Sequence, residues 1–191
     1  MTPPQTKAVG RQTGSRTNHA LKAWTLLGIL GSCCCPVLYA WAPEQPPCSA
    51  PAYHQFDFWV GDWDVFEQGG SVTEAHATVT RVQGGCGLRE QYNGTDGSSG
   101  ESLSMYDPST AQWQQSWVSS HGQIVLIYGN LQDQRMVLSG TDHSPAGQRL
   151  VRGVWSPEKN GVRETAERSS DGGKTWTPWF DLSFRPHASS R

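Results

Sequence analysis

AQWQQSWVSSHGQIVLIY, residues 111–128, reads as two short strands joined by a turn. Trp113, Gln115 and Trp117 fall on one face of the first run, with Gln112, Gln114 and Ser116 on the other. That is the period-two spacing of a strand. His121-Gly122 breaks the pattern, and the apolar run 123–128 follows too closely for a crossover helix. The unit is an antiparallel hairpin, and it recurs along the chain. Patterned runs at 62–67, 71–83, 86–93, 101–107, 111–119, 123–128, 134–141, 149–156, 162–168 and 175–184 read as strands. Turn signals fall between them, among them Gly69-Gly70, Gly84-Gly85, Asp107-Pro108, Asn160-Gly161 and Gly172-Gly173. No interval has room for a long helix, which excludes a parallel sheet. Ten antiparallel strands in an open sheet would leave two unpaired edges, and closure removes both. The expected fold is all-β, a ten-stranded antiparallel up-and-down barrel occupying residues 53–187.

Composition agrees with one such domain in 191 residues. Leu, Ile and Val are scarce, and nine tryptophans take their place. The formal net charge of −2 excludes the highly charged, core-poor composition of a disordered chain. Residues 1–42 hold four basic residues (Lys7, Arg11, Arg16, Lys22) and no acidic one, followed by an apolar run from Ala23. A basic segment before a short apolar core reads as an export signal, or as an uncleaved anchor. Pro36 and three cysteines interrupt the run short of a simple membrane span. Leu30-Gly31-Ser32-Cys33 resembles a lipobox, which would make Cys33 a lipidation site; ordinary cleavage near Ala40 or Ala42 is the alternative. The expected location is the periplasm or cell envelope, with membrane contact only through this segment. Beyond residue 42 stand eleven basic and seventeen acidic residues, which gives no electrostatic reason to bind nucleic acid. Residues 43–52 read as a Pro-rich linker. Cys48 and Cys86 remain with the domain under either cleavage, and export permits a disulfide between them; two buried free thiols are the alternative. No Cys/His cluster has zinc-site spacing, so no metal is expected.

Closure creates an interior, and a barrel of ten strands encloses more than the eight that already leave room for one small ligand. Gln115 lies between Trp113 and Trp117 on the same face, and Glu90 between Leu88 and Tyr92. Arg152 is placed in the same way between Leu150 and Val154. A polar group on an apolar face costs about 1–3 kcal/mol unless it is partnered. Two readings follow. Either these groups pair inside the barrel, for example Glu90 with Arg152, or they orient a ligand in a mostly apolar pocket.

Gly61-Asp62-Trp63 opens the first strand and resembles the G-x-W signature of lipocalins and the wider calycin group. The resemblance implies a barrel plug in which Trp63 stacks beneath Arg185, a cation–π contact. A longer stretch, HQFDFWVGDWD at 54–64, continues through Gly85-Cys86, Glu90, Trp113-x-Gln115-x-Trp117 and 169–176. It is similar to an exported bacterial family of unknown function near the calycins, which brings a barrel but no catalytic residue. Haem-carrying nitrobindin-like barrels show G-x-W-x-G-x-G, and Asp64–Glu67 lacks the two later glycines. The one candidate for their ligating histidine, His187, falls after the last strand; no cofactor is expected. Ser169–Trp176 matches the Asp-box S-x-D-x-G-x-T-W, which in one copy without a 40–50-residue repeat is a hairpin turn and not a propeller. Asp62, Asp64 and His76 read as solvated or structural, and no serine has a neighbouring triad pattern.

The leading expectation is binding of a small, largely apolar or aromatic molecule, with Glu90, Trp113, Gln115, Trp117 and Arg152 as candidate contacts. One alternative is a barrel enzyme with Glu90 as acid/base, although no catalytic motif stands out. The other is an envelope scaffold or glycan-binding module using exposed Trp176 or Trp179.

Overall fold

A computed structural model describes residues 45–188. The proposed signal segment and Cys33 lie outside these residues. Two 3-10 turns, Pro51–His54 and Asp57–Trp59, lead into ten strands. In chain order they are β1 Gly61–Glu67, β2 Thr73–Val82, β3 Gly87–Gly94, β4 Ser99–Asp107, β5 Gln112–Ser119, β6 Ile124–Gln132, β7 Arg135–Ser144, β8 Gly147–Glu158, β9 Gly161–Ser169 and β10 Thr177–Pro186. Every strand pairs antiparallel with its chain neighbours, and β10 closes on β1. The fold is an all-β, ten-stranded, up-and-down closed barrel. Among the described residues no helix is long and apolar enough to cross a membrane.

Connections alternate between the two ends, and the ends differ. The 3-10 turns lie across the end where β1 begins and β10 finishes. There Phe56 and Trp59 are buried, stack on each other at 5.1 Å, and meet Trp113, Trp155 and Phe184 at ring-centroid distances of 5.4–6.1 Å. This aromatic plug closes the barrel. The first of these turns begins at Pro51, at the end of the Pro-rich stretch. His54 hydrogen-bonds Asp57, and Arg81 ion-pairs with Asp57, fixing the turns to β2.

The expected Trp63–Arg185 stack is not made. Arg185 stands opposite Asp64 in the β1–β10 register, so it shares the outer face with Asp64 while Trp63 points inward. Its guanidinium lies 4.2 Å from the centre of the Phe66 ring and donates to the Gly70 carbonyl. Trp63 instead donates from Nε1 to the Trp59 carbonyl, 3.0 Å away, pinning the plug to β1. Small residues make room for the large rings. A Cβ at Gly61 would run into Trp63, and one at Gly100 into Trp117.

Cys48 and Cys86 form a disulfide across 38 positions, joining the segment before the 51–54 turn to the β2–β3 hairpin. Closing a loop of this length contributes about 4 kcal/mol by restricting the unfolded chain. The C48S/C86S variant should therefore melt several degrees lower, and reductant should leave its melting point unchanged while lowering that of the wild type. Equal melting points by circular dichroism would show the bond to be energetically idle.

Candidate functional site

The inner face is unevenly filled. On the β1–β2 side, Val65, Ala75, Ala77 and Val79 pack solidly. Between β3, β5–β6 and β8–β10 a cavity of about 210 Å³ remains, bounded below by the plug residues Trp155 and Phe184 and opening between Trp117, Gln123 and Trp179. Its walls are chiefly aromatic and aliphatic. Its polar lining comes from Glu90, Glu164, Gln115, Gln123 and Tyr92.

Glu90 projects inward from β3 and is 5 % exposed. Among the described residues its side chain has one hydrogen-bond partner, Ser102, whose Oγ donates to Oε2 at 3.0 Å. Burial raises its pKa to about 7, against the smaller opposing pull of Ser102. Glu164 enters from β9. Its accessible surface faces the cavity, so it is half-buried by area while enclosed by protein. Burial, and then the negative charge of Glu90, raise its pKa well above the usual carboxylate range. The Trp155 indole N–H faces Glu164 closely enough to oppose that rise, without the geometry of a hydrogen bond. Burial and the surrounding carboxylates also push the Tyr92 hydroxyl up to about 12. The carboxyl groups of the floor therefore keep their protons to higher pH than exposed ones, and a protonated carboxyl can donate as well as accept. Gln115 is held by Ser104, its Nε2 donating to Oγ at 3.0 Å.

Three of the expected contacts behave as their spacing implies: Glu90, Gln115 and Trp117 share the cavity lining. Trp113 shares their face but lies one layer deeper, in the plug, donating from Nε1 to Gln55. Arg152 is a correction. β8 turns Val151, Gly153 and Trp155 inward, so Arg152 lies on the outer face, donating from Nε to Glu167 at 2.6 Å, and cannot pair with Glu90. Glu164, Trp155 and Phe184 were not among the expected contacts. The alternation Val162-x-Glu164-x-Ala166 marks Glu164 as clearly as Leu88-x-Glu90-x-Tyr92 marks Glu90. Phe180, Leu182 and Phe184 follow the same period on β10.

The mouth is braced by charge. Buried Asp142 meets Arg168 at 2.8 Å and Arg149 at 3.4 Å, and accepts from Gln123 at 2.8 Å. Arg168 also stacks on Trp179, its guanidinium carbon 3.1 Å from the ring centre. The Asp-box residues form a turn at this end. Asp171 accepts from the backbone N–H and hydroxyl of Thr175 and from Ser169, and these bonds lower its pKa to about 2. Trp176 lies beneath Arg152, at 4.4 Å, and donates to the Gly173 carbonyl. Trp176 and Trp179 are thus both engaged within the domain.

A scan of protein-family models finds no family that matches the chain, and a search of curated proteins finds no match either. The chemistry of the site must be read from the side chains themselves. Outside the barrel, closure of β10 on β1 brings Asp64, His76 and His187 within 4.8 Å of one another. Two imidazoles and a carboxylate are donors that suit zinc, copper or nickel. Here His187 hydrogen-bonds Asp64 at 2.8 Å, while His76 lies 3.0 Å from Asp62 and 3.6 Å from Asp64. The bond to Asp64 raises the pKa of His187, and the same bond lowers that of Asp64. The cluster links β1, β2 and the residue that follows β10.

Proposed function

We propose that this protein is an exported, calycin-like barrel that binds a small, largely apolar or aromatic molecule in its interior. The observation that carries the reading is the cavity: about 210 Å³ of aromatic-walled space, open at one end, with carboxyl groups at its floor. A dry cavity of roughly 150 Å³ is enough for benzene, so this one suits an indole-sized ring or a single ring with a short chain. Rigid aromatic walls and few polar anchors are the usual construction of such sites. The basic, acid-free leader and the Cys48–Cys86 disulfide support export. Gly61-Asp62-Trp63 at the start of β1, with Trp63 held beside the plug, supports the calycin-like kinship.

Titration of indole into the full-length chain should quench tryptophan emission saturably. Trp117→Ala, which removes one wall, should weaken binding by about tenfold, on the scale of a buried aromatic contact. Native mass spectra should show a one-to-one adduct. Absence of saturable binding by indole, phenol or benzyl alcohol at millimolar concentration would reject the reading.

A second reading has its own support, because an acid of raised pKa lines an open pocket, the arrangement a general acid/base requires. The two readings separate on Glu90→Gln. In an enzyme it abolishes turnover and leaves binding of an apolar ligand intact.

A further inference from the structure

We propose that the molecule the cavity takes is an amine: an aryl- or alkylamine whose ammonium group sits between the Glu90 and Glu164 carboxyl groups with its apolar body against Tyr92, Trp117 and Trp155. The inference rests on the binding reading above and names its ligand class.

The charge balance of the cavity is one-sided. Two carboxyl groups reach it from β3 and β9, strands separated by β2, β1 and β10 around the barrel. No Lys, Arg or His is among the residues lining it. The nearest cationic groups are committed elsewhere. Arg168 is held by Asp142 and Trp179, Arg149 by Asp142, and Arg152 by Glu167 on the outer surface. The other titratable group facing the pair is Tyr92, which is neutral. Ser102 satisfies one oxygen of Glu90, and no further protein donor meets either carboxyl with hydrogen-bond geometry among the described residues. Such a pair could be retained for structure only at a cost that apolar residues of the same volume would not carry. An ammonium ion supplies the missing charge and up to three donors.

The walls suit the same ligand. Indole and phenol faces attract a cation by their quadrupole, most strongly where water is excluded. The proton balance is simple. A ligand arriving as the ammonium ion displaces one carboxyl proton to solvent, and no bond to carbon is made or broken. Affinity must then rise with pH as that proton becomes easier to release, until the amine itself deprotonates.

The test uses three isosteres with the full-length chain: 2-phenylethylamine, 2-phenylethanol and 3-phenylpropionate, titrated calorimetrically at pH 5 and pH 8. The amine should bind at least tenfold more tightly than the alcohol at pH 8, and proton release, read in buffers of different ionisation enthalpy, should be close to one at pH 5 and smaller at pH 8. That preference should be lost at pH 5, and the propionate should not bind at pH 8. Glu90→Gln and Glu164→Gln should each reduce the preference for the amine over the alcohol. Equal affinity for amine and alcohol would overturn the amine inference and leave the binding reading standing. Failure of all three to bind would remove both.

Discussion

Between pH 5 and pH 8.5 the barrel should lose more than 3 kcal/mol of unfolding free energy, and the E90Q/E164Q variant should not. Glu90 titrates near 4.5 when unfolded and at about 7 when folded, so across that interval the folded state holds more protons. Stability must fall with rising pH wherever the native state binds the excess. The contribution is whole below the unfolded value and lost as pH rises through the folded one. A displacement from 4.5 to about 7 corresponds to about 3 kcal/mol, and Glu164 is raised in the same direction. His187, also raised, adds to the loss through the weakening of its bond to Asp64. The groups held low, Asp64 and Asp171 among them, lose their contributions only under more acidic conditions. Gln at both positions removes the charging step while still accepting from Ser102. At pH 8.5 the variant should exceed the wild type by the amount the wild type has lost, and at pH 5 the two should be close. Urea unfolding followed by tryptophan emission at each pH measures this directly. Wild-type stability that holds level or rises over the interval would mean that the cavity is wet enough to solvate both carboxylates.

What made the fold legible was the turn chemistry together with the tryptophan spacing. Gly84-Gly85, Asp107-Pro108 and Asn160-Gly161 each cut a period-two pattern at a hairpin end, and all ten strands lie where those cuts place them, with ends shifted by at most four residues. Faces were harder to assign than strands. In β8 both parities carry apolar residues, Leu150 and Val154 on one and Val151 and Trp155 on the other. A shift of one residue exchanges inside for outside, so the choice depends on which set the interior can hold. Trp155 decides it, because its ring completes the plug and Gly153 leaves the space beside it. Arg152 was misplaced for that reason. Trp113 and Trp117 show a different limit. Alternation puts both inside, but only the 3-10 turns across one end make the first a plug residue and leave the second at the cavity. The meeting of Asp64 with His187 could not be read locally at all, since it depends on closure of β10 against β1 across more than a hundred residues.

Phe56→Ala should cost about 4 kcal/mol and lower the melting temperature by roughly 10 °C. Phe56 is wholly buried, and no other described aromatic ring meets so many others. It stacks on Trp59 at 5.1 Å and meets Phe58, Trp113 and Trp155 at 5.4–5.7 Å. Truncation removes the transfer free energy of the ring and leaves a void that a closed barrel, hydrogen-bonded all round, collapses around poorly. The control is Val118→Ala on the outer face of β5. That side chain is 53 % exposed, and its truncation should change stability by no more than about 0.5 kcal/mol. The substitution also tests whether the plug defines the cavity. Trp155 packs against Phe56 on one side and lines the cavity on the other. Loss of Phe56 lets the indole move toward the void, which deepens the cavity at its floor beside Glu164. A ligand longer by one ring carbon than the best wild-type ligand should then gain relative affinity, even as the fold loses stability. Phe56→Trp, which refills the space, should restore the wild-type size preference. Destabilisation with no change in ligand size preference would show that the plug is a stabilising cap and that Trp155 is positioned by the strands alone.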